Sequence, residues 1–238
     1  MSITTSRRRA RRGIHGQIVE EVGNRIARGD WEPGEQLPDE SVFGTELDVS
    51  RTVVREAMKV LSEKGMIESR PRIGTRVTSS NSWNHLDPDV LKWVFANKPT
   101  KKNAYDLFEL RRMIEPAAAK LAANRISDDE LAALRQAYQE MVDAGDDFEK
   151  GIEPDLRYHH IILLASGNQM LVPLGNTIES ALAASFRISS SAPNERLESH
   201  KRHEAVISAI AAHDGRLAAE AMLYLIDRSQ ELILSIID

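Results

Sequence analysis

Hydrophobic residues recur with two different periods in the first third of the chain. Between Ser50 and Gly65 they follow one another at steps of three and four residues, which predicts an amphipathic helix. Ser50 is a typical N-cap and Gly65 a typical helix stop. After Gly65 the period changes to two, which predicts strands over 66–70 and 75–77 about a turn at 71–74. The apolar stripe of the helix consists of Val53, Val54, Ala57, Val60 and Leu61.

A turn rich in proline and glycine precedes this helix, at residues 31–38, and ends an earlier helix. Two helices around a turn, followed by a short hairpin, are typical of a winged helix-turn-helix. In such a domain the N-terminal turns of the second helix enter the major groove of DNA. Arg51, Thr52 and Arg55 lie there, off the apolar stripe, and an arginine can bond guanine O6 and N7 together or grip a phosphate. We therefore expect these three residues to bind DNA.

The predicted hairpin adds a second group of candidates for DNA contact. Arg72 lies at its tip, where it would reach the DNA backbone or the minor groove, and Gly74 and Arg76 begin the returning strand. Taken singly, an arginine on a helix or hairpin is more often solvated than bound to a phosphate. The placement of four arginines on one recognition helix and its wing favours DNA contact for the set.

Helical periodicity continues through the second half of the chain, and strand patterns are lacking there. Asp87 can cap a helix that starts at Pro88, after a polar stretch at 78–84. The pattern predicts an N-terminal winged helix-turn-helix domain at 14–78, a linker and connecting helix at 79–103, and an all-α bundle at 104–238. Further helices are predicted over 104–123, 127–144, 154–165, 169–185, 194–213 and 216–237.

Charge divides the chain in the same way. The net charge is −5, but residues 1–78 hold 14 Lys or Arg against 12 Asp or Glu, so the acidic excess lies in the second half. Five arginines crowd into a basic arm at 1–13, which we expect to be disordered; it either follows phosphates or is an inert tail. No apolar run reaches membrane-spanning length, and the absence of cysteine excludes disulfides and thiolate metal sites. A cytoplasmic protein is expected.

Asp155, His159 and His203 form the candidate chemical site of the second half. Asp155 and His159 are four residues apart, so a helix places them on one face, where a carboxylate and an imidazole can share one ion. The alternative for such a pair is a surface hydrogen bond. An Asp and two His around a metal could also serve a hydrolase, but no accompanying general base or nucleophile motif is present.

The first 78 residues resemble the winged-helix domain of the GntR family of bacterial regulators. The resemblance covers nearly all of residues 14–78, and it departs from FadR-type members at Ser41, where an arginine is frequent. It implies sequence-specific binding to double-stranded DNA. The residues that carry it are 29–40, Val49-Ser50-Arg51, Val54-Arg55-Glu56-Ala57, Leu61, Lys64-Gly65-Met66-Ile67 and Gly74-Thr75-Arg76-Val77.

Residues 104–227 resemble the FCD domain, the ligand-binding half of FadR-type regulators. The resemblance rests on Glu109-Leu110-Arg111, Glu115-Pro116, Asp155 to His159, Ala165 to Asn168 and the segment after His203. It implies a divalent metal such as zinc, held by Asp155, His159 and His203, beneath a small carboxylate effector. The fourth ligand position falls on Leu225, which cannot ligate. Arg111 is expected to clamp the effector carboxylate, and the alternative for Arg111 and Glu115 is an internal salt bridge.

Residues 81–94 resemble the segment that joins the two domains in regulators of this family that sense sugar acids. The combined expectation is a homodimeric repressor of an aldonate or uronate catabolic operon, released from a palindromic operator when the effector binds. Two alternatives stay open: an activator instead of a repressor, and a different carboxylate effector such as lactate, glycolate or an amino acid. The sequence pattern does not separate them.

Overall fold

The computed structural model describes residues 13–70, 73–97, 99–145, 147–175, 177, 182–183 and 193–237. The chain divides into two compact units, Met1–Lys98 and Pro99–Asp238. The boundary falls inside the segment 79–103 that was expected to link the domains. The basic arm at Ser6 to Arg12 and the wing residue Arg72 lie outside the described residues. None of the described helices is both long and apolar enough to cross a membrane.

The first unit is a small helical domain with a β-hairpin. Its helices are α1 (Ile14–Arg28), α2 (Glu40–Glu46), α3 (Arg51–Glu63) and α4 (Pro88–Asn97), and its strands are β1 (Ile67–Arg70) and β2 (Gly74–Val77). Ser50 caps α3 by accepting a hydrogen bond from the backbone N–H of Val53, as the sequence predicts.

The buried face of α3 is turned slightly from the predicted one. Val54, Ala57 and Leu61 are buried as expected, and Met58 joins them, while Val53 and Val60 are only half-buried. A 3.6-residue period places residues 54, 57, 58 and 61 on one line, so the core contacts that side. Burying each large side chain stabilises the unit by about 1.5–3 kcal/mol.

The wing is an antiparallel hairpin that pairs Ile67 with Val77 and Arg70 with Gly74. A third extended segment, residues 34–37, runs along β2: the N–H of Leu37 donates to Thr75 O, and the N–H of Val77 donates to Glu35 O. The sequence pattern did not predict this third segment, because a proline- and glycine-rich stretch is typical of a turn. It ties the wing to the chain before α2.

The second unit is built from helices throughout its described part, as expected. These are α5 (Lys101–Arg125), α6 (Asp128–Asp143), α7 (Phe148–Ala165), α8 (Pro193–Ala211) and α9 (Gly215–Ile236), and residues 171–175 are also helical. The long helix α5 packs against α7, α8 and α9, so it forms the centre of the unit. Capping boxes at Thr100 and Ser127 start α5 and α6.

Helix α7 begins earlier than the sequence pattern predicts. Pro154 was expected to be the first residue of this helix, but α7 begins at Phe148 with Asp147 as its N-cap. Pro154 lies inside the helix, where its missing N–H leaves the carbonyl of residue 150 without its usual partner. Proline is common at the first helical position, and that preference led to the wrong boundary.

Candidate nucleic-acid interface and buried Asp-His site

The N-terminal turns of α3 present the predicted DNA-binding residues to solvent. The side chains of Arg51 and Arg55 are 75% and 58% exposed, and Thr52 is exposed beside them. Arg51 Nε lies 3.1 Å from Glu40 Oε2, an ion pair at the surface. Exposed pairs of this kind contribute little to stability, so a phosphate or a base edge can replace the carboxylate at small cost.

The wing residues have different surroundings. Arg76 donates from Nη1 to the carbonyl of Gly34 at 2.7 Å, so part of its guanidinium holds the wing against the preceding turn. Gly74 has a φ of +90°, a backbone conformation that favours glycine, and a Cβ there would lie 2.7 Å from Gln36 Nε2. Both residues therefore shape the wing, and their contact with DNA stays a prediction.

The structure brings Asp155, His159 and His203 together between α7 and α8. Asp155 Oδ1 lies 3.4 Å from His159 Nε2 and 3.4 Å from His203 Nε2. His159 and His203 are buried, and the three ligand atoms all lie within 4.8 Å of one another. Helical spacing predicted the first pair, and the packing of α8 on this part of the bundle adds His203.

The Nδ1 atoms of the two imidazoles lie close to acceptors other than Asp155. His203 Nδ1 lies 2.8 Å from the carbonyl of Ser199, which directs the Nε2 lone pair to the cluster when Nδ1 donates. His159 Nδ1 lies 2.7 Å from Glu115 Oε2, an ion-pair distance, although its N–H does not point straight at that oxygen. Tyr158 supports α8 by donating from its hydroxyl to His203 O at 2.8 Å.

Glu115 also binds Arg111, and the two form a buried ion pair. Arg111 Nε donates to Glu115 Oε1 at 2.6 Å, and the two side chains are 1% and 5% exposed. The internal salt bridge considered for these residues is therefore present. Arg111 Nη1 is nevertheless buried without a hydrogen-bond partner among the described residues. That nitrogen remains able to donate to a ligand oxygen.

The side chains of Glu115, His159 and Asp155 have shifted pKa values. Burial raises the pKa of Glu115, but the charges on Arg111 and His159 outweigh burial and lower it to about 2. Burial lowers the pKa of His159, but Glu115 and Asp155 raise it to about 9. Burial raises the pKa of Asp155, but its contacts with the two histidines hold it below its ordinary value. The two flanking carboxylates therefore favour the protonated form of His159.

The two separations that involve Asp155 fit a divalent cation. Two ligand atoms about 2.0–2.1 Å from a tetrahedral ion lie about 3.4 Å apart, which matches the distances from Asp155 to each histidine. Asp155 Oδ1 and His203 Nε2 are buried and lack a hydrogen-bond partner among the described residues. Leu225, at the expected fourth position, is buried and apolar. Three ligands and an open position are typical of a site that also binds a small molecule.

A small cavity of about 10 Å³ lies beside the cluster, and this volume is comparable to one water molecule. Glu115 and His159 form part of its wall, and leucine side chains form much of the rest. His160 also faces this cavity. The described residues that line it are Glu115, Leu156, His159, His160, Leu163, Gly175 and Leu182.

Comparisons with known proteins agree with this arrangement. Residues 14–77 match the bacterial regulatory proteins of the gntR family, and residues 106–228 match the FCD domain. The galactonate operon transcriptional repressor of Escherichia coli (strain K12) is 34% identical over 214 residues, which cover 90% of this chain and 93% of the repressor. The Uxu operon transcriptional regulator of the same strain is 35% identical over 155 residues, 63% of this chain and 57% of that regulator.

A solved structure shows the same fold. Lar, which controls the expression of the Listeria monocytogenes agr system, superposes with a TM-score of 0.70 at 16% identity, over 94% of this chain and 98% of Lar. The domains and relatives are those of transcriptional regulators and not of enzymes, which excludes the hydrolase. The chain belongs to the gntR family of bacterial regulatory proteins and is a DNA-binding transcriptional regulator with an FCD domain.

Proposed function

We propose that this regulator is a homodimeric repressor of a sugar-acid catabolic operon. In this proposal an aldonate or uronate binds the FCD domain and releases the dimer from a palindromic operator. The similarity to the galactonate operon repressor, over nine-tenths of both chains, is the observation that carries the proposal. The Uxu operon regulator supports the same class of target.

The DNA-binding half of the proposal assigns base and phosphate contacts to Arg51, Thr52 and Arg55. Their exposure at the start of α3 supports this assignment, because a recognition helix reads bases from its first turns. Arg72, Gly74 and Arg76 would place the wing against the DNA backbone or minor groove. Two copies related by a two-fold axis would bind two related half-sites, which is why the operator should be palindromic.

The effector half of the proposal places the ligand beside the buried cluster. Asp155, His159 and His203 would hold a divalent ion such as zinc, which supplies a positive charge for a carboxylate or hydroxyl oxygen. Arg111 would donate from its unpaired Nη1 to the same acid, while Glu115 holds the Arg111 guanidinium in place. His159 has to lose its proton to join such a site, so binding of the ion and of hydrogen ions would compete.

Repression and release would then be a shift between two arrangements of the dimer. The acid binds one arrangement more tightly than the other, and in that arrangement the recognition helices no longer match the half-sites. Coupling energies between two binding sites are typically about 1–3 kcal/mol, which would weaken operator binding by about 5- to 150-fold. Such a shift can release the operator without any change in the residues that contact DNA.

A thermal-shift screen tests the effector assignment. D-galactonate, D-gluconate, D-galacturonate, D-glucuronate, lactate and glycolate are each added to the purified protein, with zinc or with a chelator. A ligand that binds the native state raises the unfolding temperature, so one of the four sugar acids should do so, and more strongly with zinc. Stabilisation by lactate or glycolate alone would contradict the sugar-acid assignment, and stabilisation that is unchanged by the chelator would contradict the metal.

A further inference from the structure

The C-cap of the recognition helix is tied to the segment that follows the wing. Lys64 is the C-cap of α3, and its side chain is 11% exposed. Lys64 Nζ donates to both carboxylate oxygens of Asp87, at 2.7 and 2.6 Å, and to Asp89 Oδ2 at 3.1 Å. An ammonium group has three N–H donors, so these three bonds satisfy it completely. These residues, Lys64, Asp87 and Asp89, form what we call the Lys64 clamp.

Asp87 has a second role in the same place, because it is also the N-cap of α4. Its Oδ1 accepts from the backbone N–H of Asp89 at 2.9 Å and of Val90 at 3.2 Å. One carboxylate therefore both starts α4 and holds the ammonium at the end of α3. Loss of the Lys64 contact would leave that partly buried carboxylate without its cation.

Further contacts with the backbone also hold the segment after the wing against the end of α3. The N–H of Asn84 donates to the carbonyl of Lys64 at 2.9 Å, and the hydroxyl of Thr78 donates to the carbonyl of Gly65 at 2.5 Å. A Cβ at Gly65 would lie 2.2 Å from Ser82 O, and the φ of +74° there also requires glycine. Residues 78–87 are thus packed closely on the end of α3.

The far end of α4 is held to α1. Trp93 is fully buried, and a Cβ at Gly23 would lie 2.3 Å from its ring. Asn97 Nδ2 donates to Asn24 Oδ1 at 2.6 Å. Helix α4 ends at Asn97, next to the boundary between the two units at Lys98. The chain therefore enters the second unit from a helix that α1 and α3 both hold.

We propose that the Lys64 clamp couples the effector-binding unit to the recognition helix. Because the clamp fixes α4 to α3, a force that arrives along the chain at Asn97 moves the recognition helix instead of bending a flexible linker. Lys64 is a positioning residue in this view and touches neither DNA nor effector. The inference rests on the proposed dimeric repressor, in which the separation of two recognition helices is read as the spacing of two half-sites.

The spacing between half-sites provides a test that needs no effector. The probe is a duplex that the wild-type protein selects from a random-sequence library, together with the same duplex carrying one extra base pair between its half-sites. One base pair adds about 3.4 Å and about 34° of rotation. If its recognition helices are rigidly held, the wild-type dimer should bind the longer duplex about 30-fold or more weakly than the selected one. A loss of this size is expected when base contacts are disrupted.

Two variants remove the clamp in different ways. Lys64→Met deletes the ammonium, and the double variant Asp87→Asn with Asp89→Asn deletes both negative charges but keeps a residue that caps α4 well. Each should bind the selected duplex about as tightly as wild type and lose only about fivefold on insertion of the base pair. Helix α4 is then still held to α1 but no longer through the clamp to α3, which leaves each recognition helix freer to follow its half-site. Lys64→Arg, which keeps a cation, should restore strict spacing. Lys92→Met, which removes the surface contact between Lys92 and Glu20, is the matched control and should behave as wild type.

The possible outcomes separate the coupling role of the clamp from operator binding itself. If Lys64→Met fails to fold, the double variant of Asp87 and Asp89 gives the answer alone. Folded clamp variants that discriminate against the longer spacer as steeply as wild type would overturn the coupling role, and so would a wild-type protein that tolerates the insertion. A wild-type protein that selects no duplex would instead overturn the proposed operator binding, which separates the two failures.

Discussion

The two units of this regulator place their candidate functional residues in opposite environments. In the first unit Arg51 and Arg55 are exposed and held by weak surface pairs. In the second unit Arg111, Glu115, His159 and His203 are buried and contact one another. The exposed residues are free to exchange carboxylates for DNA, whereas the buried ones are stable only while their charges are paired. Function and stability should therefore be separable in the first unit and linked in the second.

The largest effect on stability should follow from removing the buried Glu115 carboxylate. Glu115→Ala removes the carboxylate between Arg111 and His159 and leaves a buried guanidinium unpaired, which should cost about 3–5 kcal/mol of unfolding free energy. Urea denaturation followed by circular dichroism measures the loss. Glu220→Ala, which removes an exposed pair with Arg216, is the control and should leave the midpoint of unfolding unchanged. Equal losses for the two variants would contradict the expected difference between a buried and an exposed ion pair.

The metal assignment should produce the next largest effect. Zinc at about 100 times its dissociation constant should stabilise the wild-type protein by about 2.7 kcal/mol. His203→Ala removes one of three ligands and should abolish this stabilisation. His85→Ala, which changes an exposed histidine of the first unit, should retain it. The readout is the unfolding temperature with zinc and with chelator, and an unchanged zinc response in His203→Ala would disprove the site.

The same contrast explains which features could be predicted from the sequence. The exposed residues of α3 follow from local signals, since Ser50, the apolar period and Gly65 define one helix and its two faces. Asp155 and His159 were also predictable, because they share a helix at a spacing of four. Their link to Glu115 was not, since it joins α5 to α7 and depends on how the bundle packs. The Lys64 clamp was missed for the same reason: its two carboxylates lie more than 20 residues further along the chain.

An intermediate effect is expected at the DNA surface. Arg55→Ala should weaken operator binding by about 1–3 kcal/mol, or about 5- to 150-fold, without changing the unfolding temperature. Fluorescence anisotropy with the selected duplex measures the affinity. Arg216→Ala, which changes an exposed arginine of α9, is the control and should bind DNA as wild type. Full operator affinity in Arg55→Ala would remove the recognition-helix assignment.

The smallest effect is expected from one kind of change that can be made in both units. Ser50 caps α3 and Ser127 caps α6, each by accepting from the backbone N–H of the third residue of its helix. Replacing either serine with alanine should cost about 1 kcal/mol of stability. Ser50→Ala also loosens the turn that holds Arg51, Thr52 and Arg55, so it should weaken operator binding several-fold, whereas Ser127→Ala should not. Equal operator affinity in the two variants would mean that the first turn of α3 does not need its cap to read DNA.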